Sequence, residues 1–201
     1  MKIKPSETLA LVRKNLHQIS EITDVDWEFF SSKLKRHDIP RKTTFLKFGE
    51  IENRISFIIS GVVRLYIPKN DPAKEITFGF CFKEQFISAY DSFLTRTPSL
   101  YELQTLTDTI VLSITYQDLQ EVYKTTKIGN LIGRLTAERL FLVKSKREQT
   151  LLNNTAEERY LNLFKDYPEI IKEVPLKYIS SYIGVTPQGL SRIRKLSLIH
   201  I

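Results

Sequence analysis

The sequence predicts an α+β protein: N-terminal helices, a central antiparallel sandwich or barrel of short strands, then helices to the end of the chain. Two changes of hydrophobic period carry this expectation. Near Thr43 the spacing of apolar residues drops from the helical value of about 3.6 to about 2, and after Thr115 it returns. The intervening strands follow one another across turn signals instead of alternating with helices, which excludes a parallel βαβ sheet. A third observation concerns the last helices, where Gly184, Thr186 and Pro187 stand in helix–turn–helix spacing.

The first forty residues read as helix. Ser6-Glu7 opens an apolar pattern of Leu9, Leu11, Val12, Leu16 and Ile19, and Asp24 caps a second pattern with Trp27, Phe29, Phe30 and Leu34. His37-Asp38-Ile39-Pro40 ends it, since proline disfavours helix at the residue before it. Six strands are expected at 43–48, 55–60, 62–67, 75–82, 100–106 and 109–115. Each is rich in β-branched or aromatic residues and bounded by turn signals such as Phe48-Gly49-Glu50 and Ser60-Gly61. A short helix follows at 116–123 and a longer one at 128–149. In the longer helix Ile128, Leu131, Leu135 and Leu142 form a stripe that Ile132, Leu140, Phe141 and Val143 broaden. Glu138 interrupts a strict coiled-coil seam, so the stripe suits a short helix pair or a core helix packed on its own domain. Asn153-Asn154 marks a linker, and Thr155 with Glu158 has capping-box spacing for a helix ending near Asp166-Tyr167-Pro168.

At 201 residues, with a 42% hydrophobic and 26% charged composition, the chain is long enough for one large domain or two small ones. Seven Gly, eight Pro and one Cys exclude collagen, low complexity and a disulfide scaffold. The lone Cys81 reads as a small buried hydrophobe in a reducing compartment. No membrane-length apolar run is present, and Glu7 and Arg13 fall where a signal peptide is apolar, so a cytoplasmic location is expected. His17, His37 and His200 lie outside the expected strands, so no metal or cofactor site is anticipated there. Without a Ser–His–Asp order, a phosphate-cradling glycine loop or an HExxH run, catalysis has no visible carrier.

The formal charge of +7 is mild, but its placement is informative. In residues 176–195, Ile179, Ile183, Leu190 and Ile193 take core-facing positions on two short helices. Gly184 supplies a left-handed turn, Thr186 an N-cap and Pro187 the first helical position. The second helix is expected to present Gln188, Ser191, Arg192, Arg194 and Lys195, with Lys177 on the helix before it. Arginine and glutamine donate paired bonds to guanine and adenine in the major groove, while Ser and Lys suit phosphate oxygens. No acidic residue follows Glu173. A solvated cationic helix in an all-α subdomain is the competing reading.

The order of elements resembles the Crp/Fnr family of bacterial transcription regulators over almost the whole chain. The resemblance rests on Phe48-Gly49-Glu50, on residues 57–66 around Gly61, on Leu106-Thr107-Asp108-Thr109, and on residues 179–195. It implies a cyclic-nucleotide-binding-like β-roll of the double-stranded β-helix or jelly-roll type at 1–127. A dimerisation helix and hinge at 128–152 and a helix–turn–helix domain at 153–201 complete the expected organisation. A homodimer would pair through Ile128, Leu131, Ile132, Leu135 and Leu142 and read an inverted repeat in double-stranded DNA. RNA polymerase and a small-molecule effector are the further partners implied, with no membrane. On the family's recognition helix, Pro187, Gln188 and Arg192 fall on base-reading positions, although Pro187 has no N–H to give.

Two departures matter. Cyclic-nucleotide-binding members carry Gly-Glu and Arg-Ser pairs, where this chain aligns Ile87-Ser88 and Ser99-Leu100. Unless a shift of register brings in the nearby Arg96, cyclic AMP is not expected to bind in the usual way. Ser88, Tyr90, Ser99 and Tyr101 are the polar candidates for an altered effector pocket, and Phe78, Phe80 and Phe82 form either sandwich core or its apolar wall. Finally, a β-hairpin wing is not expected in the last six residues. A module that binds an effector and acts through protein contacts is the rival function; an enzyme built on the roll has no clustered residues to support it.

Overall fold

The computed structural model describes residues 5–18, 20–127, 129–168 and 170–196, so Ile19, Ile128, His200 and the expected wingless end lie outside the described residues. Helices α1 (Pro5–His17) and α2 (Asp24–Ser32) open the chain. The cap of α2 is Thr23, not Asp24: its hydroxyl accepts the Asp26 amide at 3.2 Å, leaving Asp24 in the first turn.

Eight strands follow: β1 (Lys35–Ile39), β2 (Thr44–Leu46), β3 (Arg54–Ser60), β4 (Val63–Ile67), β5 (Ile76–Cys81), β6 (Phe86–Ile87), β7 (Glu102–Thr105) and β8 (Thr109–Thr115). They form two four-stranded antiparallel sheets, ordered β1-β8-β3-β6 and β2-β7-β4-β5. Leu46, Ile58, Val63, Leu65, Leu103 and Val111 fill the space between them. On the outer face of the first sheet, Val12 and Leu16 of α1 pack against Phe57, Ile59 and Leu112.

The expectation of helix through the first forty residues fails at β1, which pairs Lys35 with Ser113 through to Ile39 with Thr109. Its run of Lys, Arg, His and Asp carries no apolar alternation, because an edge strand is specified by backbone pairing to β8 more than by side-chain burial. A two-residue β6 and a short helix α3 (Tyr90–Thr95) also escaped the sequence reading.

Between β3 and β4 the chain reverses at Gly61, whose φ is +99°. A Cβ there would lie 2.4 Å from the Thr109 hydroxyl and 2.7 Å from the Asp108 carbonyl, so the two strands close over a position that admits only glycine.

Helix α4 (Tyr116–Thr125) leads into α5 (Gly129–Asn153), which runs past the expected end near Gln149. After Asn154, Thr155 caps α6 (Ala156–Asp166) in a complete capping box with Glu158, as the spacing predicted. The short α7 (Ile170–Glu173) precedes α8 (Leu176–Ile183) and α9 (Pro187–Leu196). Tyr160, Phe164, Ile170, Val174, Ile179, Ile183 and Leu190 make the core of this C-terminal unit, which continues onto Val62 and Leu106 of the roll.

Candidate functional site

Helices α8 and α9 have the local chemistry the sequence anticipated. Gly184 takes φ +79° and ends α8, and the Thr186 hydroxyl accepts the Gly189 amide at 3.1 Å to start α9. Ile179, Ile183 and Leu190 are buried, which turns the opposite side of α9 outward. Lys177, Thr186, Pro187, Gln188, Ser191, Arg192 and Lys195 are exposed. Arg194 departs from the expected outward face. It is half-buried, with its Nε shielded from solvent, and its charge lies beside the fully buried Tyr160, where burial raises the phenol pKa and the guanidinium opposes that rise.

Helix α5 has two faces of different character. Ile132 is half-buried and packs on the cluster formed by α1 and the first sheet, on the roll side of the helix. Leu131 and Leu142 remain 37% and 65% exposed, with half-buried Leu135 between them on one stripe. Glu138, which breaks the stripe, accepts a 2.6 Å bond from Arg134.

Between the roll, the inner face of α5 and the C-terminal helices lies a mostly apolar cavity of about 530 Å³. Phe78, Phe80 and Phe82 line it, so this stripe is more than sandwich filling. Phe78 meets Tyr101 edge-on at 4.9 Å, Phe80 meets Tyr182 at 5.2 Å, and Phe82 stacks on Tyr167 at 4.4 Å. Of the four polar candidates, Ser88, Tyr90 and Tyr101 reach the cavity. Ser99 does not: it is buried and donates to the Tyr101 carbonyl at 2.7 Å, which makes it a brace for that segment. The Tyr101 hydroxyl donates to Asp91 at 2.6 Å, and burial together with this carboxylate pushes its pKa upward. Cys81 is half-buried on the wall of the cavity, short of the fully buried hydrophobe expected, and burial pushes its thiol up to about 12.

The cavity's positive groups come from α5, not from the roll. Lys144 lies 5.4 Å over the Phe78 ring. Arg147 lies 3.7 Å over the Tyr182 ring and also donates to the Tyr182 carbonyl. Arg96 is committed elsewhere. It donates to the carbonyls of Glu52 at 2.8 Å and Phe93 at 3.3 Å, and to Asn53 Oδ1 at 2.9 Å, and it stacks 4.4 Å over Tyr116. Glu52 is similarly occupied, its carboxylate accepting the Arg54 amide at 2.9 Å while burial raises its pKa.

A polar clasp joins the roll to α8 and was not foreseen. Arg64, 1% exposed, donates to the Thr77 hydroxyl at 2.8 Å and pairs with Glu75 at 2.9 Å. Its guanidinium lies 4.0 Å from the Tyr66 ring on the roll and 3.8 Å from the Tyr178 ring on α8. Lys177 extends this stack, 4.7 Å over Tyr178. Beside it the Ser181 hydroxyl donates to the Glu75 carbonyl and accepts from the Thr77 amide, both at 2.9 Å. The signal available in the sequence was an arginine inside the apolar run Val62-Val63-Arg64-Leu65-Tyr66, where an unpaired charge would be costly.

The histidine expectation needs one correction: His37 sits on β1, paired with Val111. Among the described residues no group of three or more His, Cys, Asp or Glu side chains is placed to hold a metal ion, and no helix is long and apolar enough to cross a membrane.

Residues 36–126 match the cyclic nucleotide-binding domain family. No curated protein sequence matches the chain. Among solved structures, the chain is similar to the c-di-GMP-responsive global regulator CLP of Xanthomonas campestris, at 19% identity and a TM-score of 0.67 over 88% of this chain and 92% of that one. The catabolite activator protein of Thermus thermophilus matches at 16% identity and a TM-score of 0.55, over 90% and 85% of the two chains. A Crp/Fnr-family regulator from Eubacterium rectale matches at 16% identity and a TM-score of 0.62, over 89% and 84%.

Proposed function

We propose that this chain, which has the fold of the Crp/Fnr regulators with a cyclic nucleotide-binding-type roll, is a sequence-specific DNA-binding transcription regulator that works as a homodimer. The observation that carries the proposal is the outward side of α9, where Gln188, Ser191, Arg192 and Lys195 are exposed above a buried helix–turn–helix core. Arg192 and Gln188 read bases; Lys177, Ser191 and Lys195 hold phosphates. Two copies paired through Leu131, Leu135 and Leu142 of α5 set two α9 helices in successive major grooves about 34 Å apart, over an inverted repeat. The functional units are 1–127 as sensor, 128–152 as dimer helix and hinge, and 153–201 as the DNA-binding part.

The cavity is the effector site, and its ligand is not cyclic AMP held in the family's usual way. That reading is supported by the engagement of Arg96 and Glu52 in structural bonds and by the absence of Arg96 from the cavity wall. Its size suits a small organic molecule with an apolar body, and Lys144 and Arg147 suit an anionic group. A second reading, an effector-binding module acting through protein contacts, is favoured by the clasp that holds α8 on the roll.

Selection of bound duplexes from a random DNA pool, with Arg192→Ala in parallel, tests the proposal. An enriched inverted repeat that loses one specified base pair per half in the variant supports it. No enrichment, together with a binding constant that ignores salt, refutes it and leaves the protein-contact reading.

A further inference from the structure

The turn between β4 and β5 stands beside the helix–turn–helix, and its position has a use that the recognition helix does not supply. Residues 72–75 of this turn, with Ile76 at the start of β5, form one wall of a groove of about 680 Å³ whose other wall includes Lys177, Tyr178, Ser181, Thr186 and Pro187. Lys74 and Lys177 line this groove from opposite sides, and Lys69 is exposed on the same turn. Of the two carboxylates of the turn, Glu75 is neutralised by Arg64 at 2.9 Å, while Asp71 accepts the Ala73 amide at 2.9 Å and stays exposed. Lys69 and Lys74 therefore leave the turn with a net outward positive charge beside that one exposed carboxylate. The clasp, through Arg64 against Tyr178 and through Ser181, fixes the turn to α8, so roll and helix–turn–helix offer one continuous basic rim.

Resting on the DNA-binding reading above, we infer that the β4–β5 turn is itself part of the DNA interface, with Lys69 and Lys74 neutralising backbone phosphates at the flank of the half-site. These contacts carry no sequence information; they add affinity and orient the roll against the duplex. Each phosphate neutralised contributes about 0.9 to the slope of log binding constant against log salt.

The test is a salt titration of binding to a mixed-sequence duplex, comparing the full chain with Lys69→Gln/Lys74→Gln and with Lys124→Gln on α4 as a control, each checked for an unchanged melt. The expected result is a slope about 1.8 units shallower for the double variant and unchanged for the control. Between 50 and 200 mM salt this amounts to about 3.5-fold less affinity lost per lysine removed. An unchanged slope in the double variant, with salt-dependent binding intact in the parent, overturns the inference alone. Tighter binding by the double variant also overturns it and makes the turn an obstruction instead. Salt-independent or absent binding by the parent overturns the inference together with the function it rests on.

Discussion

Replacing Arg64 by methionine removes the centre of the clasp while keeping a side chain of similar length. Arg64 is 1% exposed, and its guanidinium serves Glu75, the Thr77 hydroxyl and two tyrosine rings at once. Breaking a fully buried pair by deleting one partner costs about 3–5 kcal/mol. The Glu75 side chain retains 19% exposure and can turn toward water, so the lower end, about 3 kcal/mol, applies here. Loss of the two ring contacts adds about 1 kcal/mol after allowance for methionine's own contacts with the same rings. A total near 4 kcal/mol lowers the melting temperature of a chain this size by about 8–16 °C. Differential scanning calorimetry measures that shift, and hydrogen exchange over residues 176–183 shows whether α8 loosens with it. Arg64→Met/Glu75→Gln removes the orphaned charge and is expected to recover about half of the loss. A melt within 2 °C of the parent refutes the energetic argument. A large shift with unchanged exchange on α8 refutes the claim that Arg64 ties the two units together.

Three further outcomes are expected. Gly61→Ala, whose Cβ would sit 2.4 Å from the Thr109 hydroxyl at φ +99°, costs about 3 kcal/mol or more in chemical denaturation. Gly184→Ala has no atom closer than 3.8 Å and bears only the backbone penalty of about 1 kcal/mol; equal losses in the two variants would show that space is not what distinguishes them. His37 is held below its ordinary value of 6.5 first by burial and then by the charges of Arg54 and Lys35. The unfolded chain therefore takes up this proton at a higher pH than the folded one, so the stability contribution is complete above pH 6.5 and is lost as pH falls through the lowered value. His37→Gln flattens that part of the stability–pH curve, and an unchanged slope measured by urea unfolding counts against the assignment. Leu142→Glu places a charge on the exposed stripe of α5 at a residue 65% exposed in the single chain, so it halves the mass found by sedimentation without lowering the melt of the monomer. A variant that sediments like the parent sinks the seam.

What the sequence discloses is what local chemistry decides. The Thr155–Glu158 capping box and the Gly184, Thr186, Pro187 turn each depend on residues within a few positions, and each appears as read. Six strands were legible because apolar alternation coincided with turn signals, whereas β1 was not, since its Lys, Arg, His and Asp residues follow the needs of an edge. The site was less legible wherever distant segments meet. Leu131 and Ile132 are neighbours in one apolar stripe, and only the presence of α1 and the roll decides that Ile132 faces inward. Arg194 looked like one more outward cation until Tyr160 of α6 came beside it. Arg64 stood out as an isolated charge in an apolar run, but its ring partner Tyr178 belongs to another unit of the chain. The cavity likewise joins aromatic residues of β5 to tyrosines of the C-terminal helices, a juxtaposition no periodicity encodes.

The Ser181 hydroxyl has a second consequence. β5 is the outermost strand of its sheet, and Ser181 satisfies its Thr77 amide together with the carbonyl of Glu75 just before it. Helix α8 thereby works as a cover over a strand border that would otherwise template pairing with another chain. Any rearrangement that carries α8 away from the roll uncovers that border, so freedom of the C-terminal unit and resistance to strand-to-strand aggregation are opposed by the same pair of hydrogen bonds.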